Sequence, residues 1–374
     1  MDFIDHRKPV EFRQDSAAKK IEHGFHGRLA HAIPPEALKA IEKYLENPAG
    51  IDDSGRLKRT ARALLSQYCR LPESTIRMFS DRAGIFQAIL EVYGHDPTDI
   101  LLATPVENHF INKDEYRESS VGNFYSWSPF FNDCKGLLVR AARNKGIVYL
   151  ANPNPLTGSI YSTDEIRYLL ERLRERMLII DETYFEYYGD SCADLVRRFG
   201  NLIIIRSLVE GMMHEEYLCR YIITSPANLS ELKDSRYVRE PGTVSLAAMI
   251  EILRNLDFVK GQIEIIRENK ISVEARLRRI GVICRQTPAD RLLVEIESPG
   301  EAAEFLNSRG ILAEDLSSHH QLENYLALII GDDRYSNSII EAFQTMPKVF
   351  LSKKMVNQPR MILCRSSEAA NALY

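Results

Sequence analysis

The chain has 374 residues, 45% of them hydrophobic and 27% charged, which is ordinary for a soluble globular protein with two domains or lobes. A formal net charge of −4 gives no basic excess for binding nucleic acid. The N-terminus is too polar for a signal peptide, no apolar run approaches the roughly 18 residues of a membrane helix, and the six cysteines form no CxxC pair. We therefore expect a cytoplasmic protein without membrane contact, a zinc site or a disulfide framework.

Helix and strand patterns alternate along the first two thirds of the chain. Helical patterns cover Arg56–Tyr68, Gly84–Tyr93, Asn132–Arg143 and a segment up to Arg176 that begins with a Ser162/Glu165 capping box. Apolar runs typical of strands buried on both faces are Asp99–Ala103, Gly146–Ala151, Met177–Ile180, Leu202–Ile205 and Tyr221–Ile223. This alternation predicts an α/β fold with a mostly parallel sheet flanked by helices.

The pattern changes after Gly242. A helical region, 244–280, is too long for one ordinary helix without a bend. Strand candidates (291–296 and 325–330) and helix candidates (300–308 and 333–343) follow it. We predict a large α/β domain over residues 45–242. A smaller α+β domain is predicted from residues 1–44 and 243–346, including a long linking helix, and residues 347–374 form a C-terminal extension.

Four segments carry a family resemblance. They are the loop ANPNPLTG (151–158), the strand end IIDETY (179–184), the segment IIRSLVE (204–210) followed by YIITSP (221–226), and YLALIIGDDRYSNSIIEA (325–342). Together, in this order, they resemble the class I/II, fold-type I aminotransferases, in particular the branch of histidinol-phosphate aminotransferase and threonine-phosphate decarboxylase. The resemblance covers roughly residues 45–346.

The resemblance implies a pyridoxal phosphate pocket. By position, Asp181 matches the carboxylate that pairs with the pyridinium nitrogen, Tyr184 the tyrosine that hydrogen-bonds the ring's phenolic oxygen, and Ser207 a phosphate-binding hydroxyl. Gly84 lies in the phosphate turn, and Phe110 offers an aromatic face for the ring. The family also implies a homodimer with the pocket at the subunit interface.

Other positions depart from the family. Glu210 replaces the lysine that forms the Schiff base, and Leu218 replaces the arginine that clamps the phosphate. Ala327 replaces the arginine that grips the substrate carboxylate, and Ile85 replaces a hydroxyl of the phosphate turn. Pro155 replaces the asparagine that orients the ring, unless Leu156 is an insertion and Asn154 takes that role.

These departures predict a protein that has lost transamination. A carboxylate cannot condense with an aldehyde, and Glu210 with Asp181 places two carboxylates in the site of a dianionic cofactor. We therefore expect no bound cofactor, or non-covalent binding of pyridoxal phosphate at best, and no metal.

Three functions remain open at this point. The first is a catalytically retired binding or regulatory protein, a pseudoenzyme with a small-molecule ligand in its cleft. The second is an enzyme with cofactor-independent acid/base chemistry, for which the candidate residues are Glu210, Asp181, Tyr184 and His214. The third is a working pyridoxal phosphate aminotransferase. Each of these residues also has an ordinary structural role open to it, as a loop cap, a core aromatic or part of a solvated loop.

Overall fold

The computed structural model of the protein describes residues 33–46, 54–94, 100–107, 122–143, 146–210 and 219–351. The strands in these ranges are β1 (Ile76–Phe79), β2 (Ile100–Thr104), β3 (Gly122–Tyr125), β4 (Ile147–Ala151), β5 (Met177–Asp181), β6 (Leu202–Ser207), β7 (Arg220–Thr224), β8 (Ile283–Gln286), β9 (Arg291–Glu295), β10 (Ala313–Asp315) and β11 (Tyr325–Ile329). The helices are α1 (Pro35–Glu46), α2 (Ser54–Cys69), α3 (Arg82–Tyr93), α4 (Cys134–Ala141), α5 (Thr163–Arg172), α6 (Phe185–Tyr188), α7 (Pro226–Leu232), α8 (Thr243–Arg254), α9 (Leu256–Arg279), α10 (Pro299–Asn307) and α11 (Asp333–Thr345).

The larger sheet has seven strands in the order β1-β7-β6-β5-β4-β2-β3. The strands from β6 to β3 are parallel to their neighbours, and β7 is antiparallel to both β6 and β1. Every residue of β4, β5, β6 and β7 is buried, which explains their nearly continuous apolar sequences. The predicted α/β fold with a mostly parallel sheet is confirmed.

Helices cover both faces of this sheet. Side chains of α1, α2 and α8, such as Ala37, Leu65 and Leu246, pack into the core on one face. Side chains of α3, such as Phe86 and Ile89, pack into the core on the other. The sheet is therefore buried on both faces, and its loops are left to carry the polar side chains.

The long helical region bends at one residue, as the sequence predicts. Asn255 separates α8 from α9, and its side-chain amide donates to the carbonyl of Glu251 at 2.8 Å. Ile263 in the first half of α9 packs in the core of the larger sheet, whereas Leu277 in the second half packs in the core of the smaller one. Helix α9 therefore connects the two sheets.

The smaller sheet is antiparallel, with the order β10-β11-β9-β8. Side chains of α10, α11 and the end of α9 form its core, among them Leu306 and Ile339. This sheet presents the start of β9 towards the larger sheet. The domain boundaries given above stay a prediction.

Several elements differ from the sequence predictions. Strands β1, β3, β8 and β10 and the short helices α6 and α7 were not predicted, because segments of three to seven residues carry too little periodicity. Helix α4 is shorter than predicted, and α5 ends at Arg172 rather than Arg176. Helix α2 begins at Ser54, two residues before the predicted start at Arg56.

Helix α5 begins as its sequence predicts. The Ser162 hydroxyl accepts from the Glu165 backbone N–H at 3.3 Å, and the Glu165 carboxylate accepts from the Ser162 backbone N–H at 2.8 Å. This reciprocal pair satisfies donors that the first helical turn leaves open.

Across the described ranges, no helix is both long and apolar enough to cross a bilayer.

Candidate active site

Polar side chains gather at the carboxyl ends of the parallel strands. Glu107 follows β2, Asp181 ends β5, and Ser207 ends β6. In an open α/β sheet, ligands bind at this edge of the strands. Arg291, the first residue of β9, reaches the same place from the smaller sheet.

Asp181 lies at the bottom of the site and is buried. Its carboxylate accepts hydrogen bonds from the Tyr149 hydroxyl at 2.6 Å and from the Thr183 backbone N–H at 2.8 Å, and also from the Thr183 hydroxyl. Burial raises the pKa of Asp181, while the nearby Arg82 and these hydrogen bonds act in the opposite direction. Asp181 is thus a buried carboxyl held in one orientation by its donors.

Arg291, Glu107 and Tyr184 form the side of the site nearest the smaller sheet. The Arg291 guanidinium lies 3.1 Å from the Glu107 carboxylate and donates to the Tyr184 hydroxyl at 2.5 Å. Burial alone would lower the pKa of Arg291, but Tyr184, Asp290 and Glu107 outweigh it and raise that pKa well above its usual range. Burial likewise raises the pKa of Tyr184, so this hydroxyl stays protonated. These contacts join the two sheets across the site.

Glu210 forms the other side of the site together with two arginines. Its carboxylate lies 3.3 Å from the Arg82 guanidinium and 3.8 Å from that of Arg220, and it accepts from the Ser207 hydroxyl at 2.5 Å. All four side chains are buried. Burial alone would lower the pKa of Arg82, but Glu210, Asp181 and Glu107 together raise it.

The five charged side chains form one continuous chain of ion pairs. Its members, in order, are Arg291, Glu107, Arg82, Glu210 and Arg220, and the remaining link, between Glu107 and Arg82, is 3.4 Å. We call it the arginine–glutamate chain. Buried charges are tolerated only when they are paired, and here each glutamate lies between two arginines. The site is therefore built to hold anions and supplies two of them itself.

The structure brings four of the predicted site residues together, namely Asp181, Tyr184, Ser207 and Glu210. His214, Phe110 and Leu218, three further positions of the sequence analysis, lie outside the described residues. Among the described residues, no group of three or more His, Cys, Asp or Glu side chains is placed to hold a metal ion.

Asn154 acts within its own loop. Its side-chain oxygen accepts from the backbone N–H groups of Leu156 and Thr157 at 2.9 and 3.2 Å, and its amide donates to the Pro105 carbonyl at 2.8 Å. Asn154 therefore ties the 154–157 loop to the segment that carries Glu107. Its observed contacts position backbone.

Gly84 lies in the first turn of α3, where its backbone N–H donates to the N-cap Asp81 at 2.6 Å. A Cβ at this position would meet the Tyr237 carbonyl at 2.9 Å.

We expect Gly84→Ala to lower the free energy of unfolding by about 1–3 kcal/mol, because the backbone must shift to admit the methyl group. The matched control is Gly261→Ala in α9, where no atom lies within 4 Å of the added Cβ. That change is expected to stabilise the protein by roughly 0.5–1 kcal/mol, and chemical denaturation of both variants checks the pair. Equal effects would contradict the assignment of a close approach at Gly84.

Four charged residues of the site were not predicted from the sequence, namely Arg82, Glu107, Arg220 and Arg291. None of them belongs to a motif of the family resemblance, and they come from four separated segments of the chain. A usable signal exists for one of them: Arg220 is a charged residue directly before the apolar run of β7. A charge at the edge of a buried strand needs a partner, and here Glu210 supplies it.

Ala327 of β11 stands where the family has its carboxylate-binding arginine, so β11 brings no cation to the site. Ala327 is fully buried in an apolar cluster with Leu156, Leu293, Leu316 and Leu322. Its β-sheet partner is Leu293 on β9, two residues beyond Arg291. The cation on this side of the site therefore comes from the start of β9.

Lys270 of α9 holds the turn that precedes Arg291. Its ammonium donates to the carbonyls of Thr287 and Ala289, the latter at 2.7 Å. Burial lowers the pKa of Lys270 to about 8. Below pH 8 the lysine is protonated in both the folded and unfolded chain, so the full cost of burying its charge is present. As the pH rises from about 8 to about 10.5, the folded chain loses this proton first and the cost is relieved.

We therefore expect the free energy of unfolding of the wild type to rise over this pH window, relative to Lys270→Met, by at most about 3 kcal/mol. Denaturant titrations at several pH values measure the difference. Parallel curves for the two proteins would show that Lys270 does not titrate in this range.

The fold is that of the fold-type I aminotransferases, and the comparisons confirm the resemblance to the class I/II aminotransferases. Residues 72–219 match the family Aminotransferase class I and II. A histidinol-phosphate aminotransferase of Thermoanaerobacter is 27% identical over 203 residues, which are 54% of this chain and 57% of that protein. A dihydroxyacetone phosphate transaminase of Campylobacter jejuni is 24% identical over 336 residues, covering 84% of this chain and 88% of that protein.

One comparison corrects an expectation about the cofactor. A solved histidinol-phosphate aminotransferase of Sinorhizobium meliloti, in complex with pyridoxal-5'-phosphate, superimposes with a TM-score of 0.71 at 15% identity over 91% of this chain and all of that one. From the replaced lysine, the replaced phosphate arginine and the two carboxylates of the pocket, we expected no bound cofactor, or non-covalent binding of pyridoxal phosphate at best. That expectation is wrong, because this neighbour of the same fold holds pyridoxal phosphate. The expectation also left out the cations Arg82 and Arg220, which belong to no motif of the family resemblance.

Proposed function

We propose that this chain is an aminotransferase-fold binding protein that holds a ligand of the pyridoxal phosphate kind and does not catalyse transamination. The observation that carries the proposal is the pairing of the Glu210 carboxylate with neighbouring arginines. Glu210 occupies the position of the family lysine, and its carboxylate is engaged by Arg82, Arg220 and Ser207. An anion site therefore takes the place of the amine.

Two parts of the site suit pyridoxal phosphate. The buried Asp181 carboxyl offers a partner for the pyridine nitrogen, and its donors Tyr149 and Thr183 fix its direction. Arg82 and Arg220 offer guanidinium groups for a phosphate, since guanidinium matches phosphate geometry and stays charged when buried. When bound, the pyridine ring supplies an electron sink.

One part of the site does not suit transamination. In the family, transamination depends on a lysine that forms a Schiff base with the aldehyde carbon of the cofactor. Glu210 carries no nitrogen. Its negative charge also competes with a phosphate for Arg82 and Arg220, so the ligand must displace this carboxylate.

The cofactor-independent acid/base alternative is less well supported. Its proposed base, Glu210, is already hydrogen-bonded by Ser207 and paired with two arginines. A general base needs an oxygen directed at the substrate proton. The oxygens of Glu210 are instead directed at Ser207 and the two arginines.

The proposal is tested with the purified full-length protein and pyridoxal phosphate. Calorimetry is expected to show saturable binding that inorganic phosphate weakens by competition. Addition of common L-amino acids is expected to give no conversion to pyridoxamine phosphate, read from the absorbance spectrum. Repeated conversion with any amino donor would overturn the absence of transamination, and absence of binding would overturn the ligand assignment. The double variant Arg82→Gln/Arg220→Gln is the matched control and should bind far more weakly.

We also propose that the protein is cytoplasmic, as its scattered cysteines without CxxC pairs suggest, and that it is a homodimer, as the family resemblance implies. The exposed aromatic side chains Tyr125, Trp127 and Phe131 lie close to one another in sequence, and Trp127 is 74% exposed. Such a group is typical of a surface that a second subunit covers. Light scattering that gives the mass of a single chain at micromolar concentration would contradict the dimer.

A further inference from the structure

We propose that Arg291 binds a carboxylate group of the ligand, and that Glu107 is the resident carboxylate with which the ligand exchanges. This inference rests on the proposed function and names a second anionic group on the same ligand. The ligand class is then a phosphate-bearing compound that also carries a carboxylate, such as the adduct of pyridoxal phosphate with an amino acid.

Arg291 is a buried cation at the edge of the larger sheet that carries the site. Its side chain is only 8% exposed, and it comes from the smaller sheet to the edge where Asp181 and Glu210 lie. A buried guanidinium is costly unless it is paired, so its presence at this edge calls for an anion there. The groups that face it are Glu107 at 3.1 Å, Asp290 at 3.1 Å and the more exposed Glu314 at 3.7 Å.

The contacts of Arg291 and Tyr184 indicate the kind of anion that fits here. Nη1 of Arg291 lies 3.1 Å from one oxygen of Glu107, and Nη2 donates to the Tyr184 hydroxyl. The Tyr184 hydroxyl itself lies 3.4 Å from that same oxygen of Glu107. A cation and a hydroxyl thus converge on one carboxylate oxygen. A ligand carboxylate in the same place would keep both contacts, so the exchange would replace like with like.

The other buried arginines near the site, and Ala327, are excluded as binding positions for this second anionic group. Ala327 on the neighbouring strand lies in a sealed apolar cluster. Arg206, another buried arginine, is held by two hydrogen bonds to Glu182 at 2.7 and 2.9 Å and donates to Ser191 as well. Arg82 and Arg220 share Glu210, at the phosphate side. Arg291 is therefore the arginine of the arginine–glutamate chain that serves a second anionic group.

The experiment uses two stable probes and the full-length protein. N-phosphopyridoxyl-L-alanine and N-phosphopyridoxyl-ethylamine share the ring and phosphate and differ only by one carboxylate. Calorimetry is expected to show that the wild type prefers the alanine compound by about tenfold or more, as for a charge-assisted hydrogen bond. Arg291→Gln should bind both probes equally, and Arg291→Lys should retain part of the preference.

Equal affinities in the wild type, or a preference unchanged in Arg291→Gln, would overturn the inference while leaving the proposed function intact. Failure of the wild type to bind either probe would overturn both. Glu107→Gln keeps Arg291 and removes its resident carboxylate, so it tests the same point if Arg291→Gln does not fold. The preference should rise in this variant, and an unchanged preference would overturn the inference.

Discussion

Replacing Glu182 by alanine is expected to lower the free energy of unfolding by about 3–5 kcal/mol, because it leaves the Arg206 guanidinium buried without its carboxylate. The Glu182 side chain is fully buried and that of Arg206 is 3% exposed. Nη2 of Arg206 lies 2.7 Å from Oε2 of Glu182. Glu182 also accepts from the Ser191 hydroxyl and the Cys192 backbone N–H, both at 2.8 Å. All of these donors lose their acceptor together, and chemical denaturation measures the loss.

The control for this prediction is an ion pair at the surface. Arg254 and Glu251 lie 2.7 Å apart, one turn from each other on α8, and the Arg254 side chain is 53% exposed. Surface pairs contribute about 0–1 kcal/mol, so Glu251→Ala should have a small effect. If Glu182→Ala cost no more than Glu251→Ala, burial would not govern the strength of these pairs in this protein.

Replacing Glu210 by glutamine is expected to tighten the binding of pyridoxal phosphate by roughly tenfold to hundredfold. The change removes the negative charge that competes with phosphate for Arg82 and Arg220, and it keeps nearly the same side-chain volume. A gain of this size corresponds to about 1.4–3 kcal/mol, typical of a hydrogen bond to a charged group. Calorimetry on wild type and variant measures the ratio of dissociation constants.

The matched change for Glu210→Gln is Glu314→Gln. Glu314 lies 3.7 Å from Arg291, and its side chain is 44% exposed. Removing this charge should alter the affinity little, because solvent screens it. Weaker binding by Glu210→Gln than by Glu314→Gln would mean that the Glu210 carboxylate assists the ligand instead of competing with it.

The fold was largely predictable from the sequence because its main signals are local. Continuous apolar runs marked β4, β5, β6 and β7, whose residues are all buried. The Ser162/Glu165 pair marked the start of α5. Strands such as β8 and β10 were missed because their stability comes from neighbouring strands and not from their own pattern.

The site was predictable only in part. Asp181, Tyr184, Ser207 and Glu210 were found because each falls inside a motif of the family resemblance. The contact of Glu107 with Arg291 joins residues 184 positions apart, and it depends on how the smaller sheet docks against the larger one. Because Arg82 and Arg220 were not recognised, the pocket was expected to hold only carboxylates that repel a phosphate. This led to the wrong expectation of no cofactor.

A crystal structure of the full-length protein grown with pyridoxal phosphate tests the central claim most directly. Our account predicts the phosphate between Arg82 and Arg220, with the Glu210 carboxylate moved away from both guanidinium groups. It also predicts the pyridine ring beside Asp181. A phosphate bound elsewhere, with Glu210 still paired to both arginines, would contradict the account.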